Sequence, residues 1–515
     1  MTQAWEIENF LDVRDGVLHI DSVSASALAR ERGTPLFVFS ESRIRHNIAR
    51  LQRAGDAIPC PLKICYAAKA MSTMGILQAV KDAGIDIEVN SGGELWKALK
   101  AGFTGGQIIF NGTSKEVWEI ENAINAGIYA IQVDSLYELS LIEETAKRLD
   151  KCANVSLRLV PEIESGTHSG LQTALLTSKF GMMPDEAFSA FHTYKDSPHL
   201  ALCGIHLHVG SQNPDPAVYT QALVILFESV LRIFEESGVR LKHVNLGGGF
   251  PVNYLRNERV AEGSLDWFRD QTRKHFAAKN RDISETEKIW ARTDERRSML
   301  SAGFEPAEAL RVAWESISTR TSKWVSSDLF KELTILLEPG RSIIADAGIC
   351  LTTVRNMKER PLQGGIGGIR VGPTSEKNNF EDNWPTKEKW LLTDAGFNIL
   401  LSMETYKWYY HLISATRAGD SHETMYKLAG PLCDGGDVYF DIERKLRLPE
   451  HRLLPENVEP GEVLALLNCG AYSLAQASQY NGRFLPAVVL ICSNGEVKQI
   501  RKRDNFEDLI ANDIY

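Results

Sequence analysis

The chain has 515 residues, 43% hydrophobic and 24% charged, an ordinary balance for folded protein and enough length for two sizeable domains. Its formal net charge of −10 argues against nucleic acid or an anionic membrane as the main partner. No uninterrupted apolar run reaches the roughly 18 residues needed to span a bilayer, the start MTQAWEIENFLDVRDG lacks the features of a secretory signal, and the eight cysteines form neither CxxC pairs nor zinc spacings, so they read as reduced thiols of a cytoplasmic protein.

Residues 1–35 contain WEIENFLDVRDGVLHID, which reads as two short strands joined by an Asp15-Gly16 turn. From about residue 36, short apolar runs alternate with helical patterns. The runs are PLFVFS, ICYAAKA, IDIEVNS, QIIFNGT, YAIQVDS, VSLRLVP, LCGIHLHVGS, HVNLGGGF and LTILLEPGRS; amphipathic stretches such as MGILQAVKDAG and GELWKALKAG lie between them. Repeated βα units in this number imply an α/β fold, either a closed parallel barrel or an open doubly wound sheet. The polar or glycine-rich end of each run falls on its C-terminal side, and in a barrel those ends share the face where active sites are built. Residues 255–330 are charged, helical and too long for an ordinary βα connection. They read as an inserted surface subdomain, with a substrate lid or partner surface as the alternative. After about residue 346, VYFDIER, EVLALLN and AVVLICS are short, β-rich and separated by Gly, Pro and charged turns, the texture of a mostly antiparallel domain. The expected layout is a barrel at 37–345 carrying the 255–330 insertion, with a β domain assembled from 1–36 and 346–515.

Several positions invite chemistry. Lys69 ends a run of small and apolar residues; Tyr66, Ala67, Ala68 and Ala70 include no acid, which suits a buried amine better than a surface ion pair. His206 and His208 share one face if their segment is a strand, and read either as metal ligands or as an imidazole stacked on an aromatic cofactor. No HExxH pattern accompanies them. Gly247, Gly248 and Gly249 follow a β run and would let backbone amides approach an anion, although three glycines also make a tight turn. The spacing is not that of a dinucleotide fingerprint. Glu338 and Arg341 in LEPGRS are either a surface ion pair or two charges facing opposite parts of one ligand. Cys433 in GPLCDGGD is either an inert thiol or part of an active-site loop.

YAAKA, EVNSGGEL, THSGLQTALLTSKFG, HLHVGSQ, LGGGFP, EPGRS, CDGGD and GAYSLAQASQYNG occur together in this order. The combination resembles the fold-type III pyridoxal phosphate-dependent decarboxylases, the diaminopimelate and ornithine decarboxylases among them, from about residue 35 to 495. The resemblance implies an alanine-racemase-like (β/α)8 TIM barrel plus a mostly antiparallel β domain, pyridoxal 5'-phosphate as cofactor, no metal, and a homodimer with shared active sites. By the same resemblance Lys69 is the Schiff-base lysine, His208 stacks on the pyridine ring, and Glu338 partners the ring nitrogen. Ser211, Gly247, Gly248, Gly249, Arg341 and Tyr472 match phosphate-binding positions, with Tyr472 also near substrate. Cys433, from the other subunit, resembles the acid that protonates the product carbanion, and Asp434 and Asp394 match positions facing the substrate side chain.

Two departures bear on substrate. Diaminopimelate decarboxylases carry an arginine for the distal carboxylate after the DAG motif, where DAGFNILLSMETY has Ser402. The cysteine motif CDGGD is closer to the ornithine-type CDG than to CES. With the enlarged 255–330 and 359–388 segments, these favour a diamino acid or a siderophore-type citryl-diamino acid conjugate as substrate. Diaminopimelate decarboxylation, amino acid racemisation and a non-catalytic cofactor-binding relative are the alternatives.

Overall fold

The computed structural model describes residues 5–160, 163, 178–255, 273–274, 276–278, 280–284, 287–288, 291, 300, 303–320, 328–361, 387–443 and 447–514. They fall into two compact units: Ile44–Val252 with Ala302–Ala345, and Met1–Arg43 with Asn253–Ser301 and Asp346–Tyr515.

The first unit is a closed barrel of eight parallel strands. In chain order these are β1 (Leu62–Ala67), β2 (Asp86–Val89), β3 (Ile108–Phe110), β4 (Ala130–Val133), β5 (Ala153–Arg158), β6 (Leu200–His206), β7 (His243–Asn245) and β8 (Thr334–Leu337). Each pairs with the next, and β8 pairs with β1 to close the ring. Helices run between them, and their starts are written in the sequence. After β2, Ser91 caps Gly92–Lys100 by accepting from the Glu94 amide, while the Glu94 carboxylate reaches back to the Asn90 amide at 2.8 Å. After β4 the same device recurs: Ser135 accepts from the Glu138 amide and Glu138 takes the Asp134 amide at 2.8 Å. In both, a serine cap and a glutamate that reaches back to the residue before it fasten the turn at the C-terminal end of a strand.

The helix Pro216–Ser237 contains an 18-residue window of mean hydropathy 1.5, long and apolar enough to cross a membrane by length and composition. Half of that window is buried, and Tyr219, Leu223, Leu226, Phe227 and Val230 are among its buried side chains. Polar residues such as Thr220, Gln221 and Glu228 interrupt the run, which is why no continuous apolar stretch shows in the sequence.

The second unit is built on a nine-stranded sheet with a separate three-stranded sheet near the N-terminus. Leu11–Arg14 and Val17–Ile20 form the hairpin expected around Asp15-Gly16. The long strand Gly348–Pro361 pairs antiparallel with Lys387–Thr393 at one end and with Val463–Leu466 at the other. A core of Trp5, Phe10, Leu18, Leu28, Val38, Leu351, Ile413, Leu467 and Val489 fills the space between the elements.

Two expectations are corrected. PLFVFS forms the strand Leu36–Ser40, but it pairs antiparallel with Gly348–Pro361 and parallel with Ala487–Ile491, so it belongs to the β unit. All five of its residues are buried, and a run buried on both faces reads alike in a barrel and in the middle of a mixed sheet. Nor is 255–330 a single insertion. Helix Pro306–Arg320 packs on Pro216–Ser237, with Trp314 edge-on to Phe227 at 5.7 Å, and serves as the barrel helix between β7 and β8. Residues 253–301 group with the β unit instead, and 256–272 and 292–299 among them lie outside the described residues. The 362–386 part of the second enlarged segment and 167–177 of the THSGLQTALLTSKFG motif also lie outside them.

Candidate active site

In the barrel unit, the predicted residues gather at the C-terminal ends of the strands. Lys69 lies in the single 3-10 turn Ala68–Ala70 that follows β1. The lysine is exposed, contrary to the expectation of a buried amine, because the turn carries it out of the strand to the mouth of the barrel. Its neighbours explain the alanines. The Ala67 amide donates to the Pro339 carbonyl at 3.1 Å, and a Cβ on Gly340 would stand 3.0 Å from that of Ala70 and 3.1 Å from that of Ala67. Larger side chains at 67 and 70 would push the turn after β8 away from Lys69.

Glu338 follows β8 and is 7% exposed. One carboxylate oxygen accepts from Asn245 Nδ2 at 2.6 Å and the other from Asn111 Nδ2 at 3.0 Å. Burial, then the charge of Glu88, pushes its pKa up to about 7, against the pull of Asn245, Lys69 and Asn111. His206, at the end of β6, is 1% exposed and lies 3.6 Å from Glu338. Burial, with the nearby charges of Arg158 and Lys69, holds both His206 and His208 well below the usual imidazole pKa, so they stand neutral. His208 lies beyond the strand end, so the two histidines do not form a strand-face pair. Among the described residues no group of three His, Cys, Asp or Glu could hold a metal ion.

The glycines answer to close approach. A Cβ on Gly248 would fall 2.1 Å from the Glu338 carbonyl oxygen, and one on Gly249 would fall 1.8 Å from the Gly210 carbonyl oxygen. Gly247 and Gly249 also hold φ of +68° and +95°, where other residues are strained. Two of the three amides are engaged within the protein: Gly247 donates to Asn245 Oδ1 at 2.9 Å and Gly248 to His208 Nδ1 at 3.2 Å. Gln212 clasps Val252 through both its amide nitrogen and its carbonyl oxygen, at 2.7 and 3.0 Å, so the loops after β6 and β7 are fastened together. Arg341 Nε donates to Ser211 Oγ at 3.3 Å, which sets a guanidinium and a hydroxyl side by side near this cradle. A fixed cation, a hydroxyl and a loop without side chains suit a phosphate, and a buried carboxylate that readily takes a proton suits a ring nitrogen. These residues fit pyridoxal phosphate, and Lys69 stands exposed at the same barrel mouth.

In the β unit, residues far apart in sequence meet. The Cys433 amide donates to Asn481 Oδ1 at 2.6 Å, and Asp434 accepts from Tyr480 OH at 3.2 Å, joining CDGGD to the Gln479–Gly482 turn. Cys433 is exposed. Asp437 is buried beneath the loop and accepts from the Leu432 and Phe397 amides, each at 2.8 Å. Tyr472 adopts φ of +56°, and its carbonyl accepts from the buried Ser402 hydroxyl at 3.2 Å. Asp394 is a correction to its substrate-facing assignment. Its two oxygens are taken by Thr352 and Thr34 hydroxyls at 2.7 and 2.6 Å, the Thr353 amide, and Arg355 at 2.7 Å. It ties strands together and has no lone pair to spare.

Glu88, Asn111, Arg158 and Asn245 were not singled out from the sequence. Each is buried and comes from a different strand or strand end, and only closure of the barrel brings them to Glu338.

The family described as pyridoxal-dependent decarboxylase, pyridoxal binding domain, matches residues 44–287. The diaminopimelate decarboxylase of Methanocaldococcus jannaschii is 30% identical over 510 residues, covering 98% of this chain and 96% of that one. That of Bacillus subtilis is 29% identical over 502 residues, covering 97% and 95%. The crystal structure of the M. jannaschii enzyme in complex with L-lysine has a TM-score of 0.76 at 29% identity, with 98% of each chain covered. The barrel, the residues at its mouth and this near full-length relatedness together make the chain a member of the fold-type III pyridoxal phosphate-dependent decarboxylases, a carboxy-lyase that uses pyridoxal phosphate.

Proposed function

We propose that this carboxy-lyase removes CO₂ from a diamino acid bearing a second carboxylate, with meso-diaminopimelate as the first candidate. The observation that carries this is relatedness over almost the whole chain to diaminopimelate decarboxylases of both archaea and bacteria. In this reading Lys69 would hold the cofactor through its amine, as the family's Schiff-base lysine. Arg341, Ser211 and the Gly247–Gly249 turn would hold the phosphate, and neutral His208 and, by the family resemblance, Tyr472 would contribute to cofactor binding. Bound pyridoxal phosphate supplies an electron sink for the charge left when CO₂ departs. Glu338 keeps a proton at the ring nitrogen, since an adjacent carboxylate favours the cation. Cys433 delivers a proton to the substrate Cα, Asp434 faces the substrate side chain, and the active enzyme is a homodimer with shared sites.

One observation favours a second reading. Ser402, which stands where the family resemblance calls for a distal-carboxylate arginine, is 4% exposed and turned to the Tyr472 carbonyl and Gln476. A bulkier citryl-diamino acid conjugate, or ornithine or lysine, would need no such arginine. The test is CO₂ release by the cofactor-loaded protein from meso-diaminopimelate, L- and D-ornithine, L- and D-lysine, L-arginine and a citryl-diaminopropionate conjugate. Release from meso-diaminopimelate at least tenfold faster than from any other supports the first reading; release only from the conjugate or from ornithine replaces it.

A further inference from the structure

Glu88 lies near the end of β2 with no exposed surface. One of its oxygens accepts from Asn111 Nδ2 at 2.7 Å, and among the described residues the other has no hydrogen-bond partner. The same Asn111 nitrogen donates to Glu338 at 3.0 Å. Asn111 is itself fixed, its amide donating to the Val89 carbonyl at 2.8 Å, so its two N–H bonds are aimed one at each carboxylate. Two buried carboxylates thus accept from one amide nitrogen, close enough for the charge of Glu88 to act on Glu338.

We propose that Glu88 is a positioning residue for the ring proton: through the shared Asn111 amide, its charge sets how firmly a proton is held between Glu338 and the cofactor's ring nitrogen.

The charged and titratable groups around the pair bear on this, among them Glu94, on the helix after β2, a carboxylate that interacts with Glu88. Lys69, after β1, and Arg158, at the end of β5, are cations that oppose the pair. His206, at the end of β6, is held neutral, and burial keeps the Cys65 thiol protonated, so neither adds charge. Asn245, from β7, donates its side-chain amide to Glu338. Glu88 is therefore the one further anion acting on Glu338 among these groups, and its repulsion ranks next after burial in raising the Glu338 pKa. The Glu88 charge makes the surroundings of Glu338 more negative, which favours a proton held between Glu338 and a ring nitrogen beside it. Removing the Glu88 charge leaves a lone carboxylate, which holds a neighbouring cation less strongly.

The inference rests on the assignment of Glu338 to the ring nitrogen, and the two fail differently. The full-length enzyme is loaded with pyridoxal phosphate labelled with 15N in the ring, and the nitrogen resonance is followed against pH. In Glu88→Gln, which keeps an acceptor for Asn111 but loses the charge, the midpoint for loss of the ring proton should fall by at least one pH unit, a tenfold weaker hold. Glu88→Asp should return it to within half a unit of wild type. An unchanged midpoint in Glu88→Gln, or one that stays low in Glu88→Asp, overturns the proposal and leaves Glu88 as a structural partner of Asn111. Should Glu88→Gln fail to fold, Asn111→Ala, which removes the bridge and keeps both charges, should shift the midpoint by at least half a unit; no shift overturns it equally. If Glu338→Gln leaves the ring resonance as in wild type, the assignment of Glu338 is what fails.

Discussion

Glu338 is drawn two ways: its dry site and Glu88 favour the neutral acid, while Asn245, Asn111 and Lys69 favour the anion. The first influence wins, lifting the pKa from 4.5 to about 7 in the cofactor-free chain. Between those two values the folded protein holds a proton that the unfolded chain releases, so stability falls as pH rises through that window. A shift of this size is worth on the order of 3 kcal/mol. Urea unfolding of the cofactor-free protein at pH 4.5 and 7.5 should show wild type losing stability relative to Glu338→Gln by an amount of that order. Equal pH profiles for the two would mean that Glu338 keeps an ordinary carboxylate pKa in the fold. The residue itself was legible in LEPGRS, as one of a pair of charges at a strand end. Its partners were not, because Asn111, Asn245 and Glu88 are ordinary polar letters inside β runs and acquire meaning only where strands from across the barrel converge.

At the scale of elements, the glycine-rich turn and the strand that changed unit teach opposite lessons. Gly247–Gly249 stood out because no other residue type tolerates what the turn demands, and the structure shows the demand at each position: a backbone oxygen, a side chain or a left-handed φ where a Cβ would go. Gly249→Ala should therefore destabilise the protein by more than about 2 kcal/mol and weaken retention of the cofactor. Gly435→Ala, in the CDGGD loop, is the control: a Cβ there meets nothing within 4 Å, and stability should stay within about 0.5 kcal/mol of wild type. Urea unfolding and the cofactor dissociation rate read both. If Gly249→Ala matches the control, the close contact with Gly210 is relieved by movement of the loop and the turn is not rigid. PLFVFS carried no such mark. Its pattern is apolar throughout, and the choice between a barrel and a sheet is made by the partners Gly348–Pro361 and Ala487–Ile491, more than 300 residues away. Asp394 failed as a substrate residue for a related reason: the family resemblance marks the position, and only the structure shows four groups already bonded to its carboxylate.

For the whole molecule, the residues proposed for catalysis divide between the two units. Lys69, His208, Glu338 and Arg341 belong to the barrel, while Cys433, Asp434 and Tyr472 belong to the β unit. The proposed homodimer with shared sites makes a quantitative demand on this division: each Cys433 must serve the Lys69 of the partner subunit. Lys69→Ala and Cys433→Ala should each be nearly inactive as purified proteins. When the two are mixed and allowed to exchange subunits, half of the dimers become hybrids. In a hybrid one of the two sites draws Lys69 from one chain and Cys433 from the other and is intact, while the second site lacks both. Activity should therefore recover to roughly a quarter of that of the same amount of wild type. If Cys433 serves the lysine of its own chain, every site in every hybrid lacks one residue or the other, and mixing restores nothing. Exchange must be verified on the same sample, by mass spectrometry of the intact dimers, so that an absence of recovery reports on the sharing of sites and not on slow dissociation. Recovery near a quarter would establish both the dimer and the placing of Cys433 across it, and the substrate screen could then be interpreted with a pocket that two chains build together.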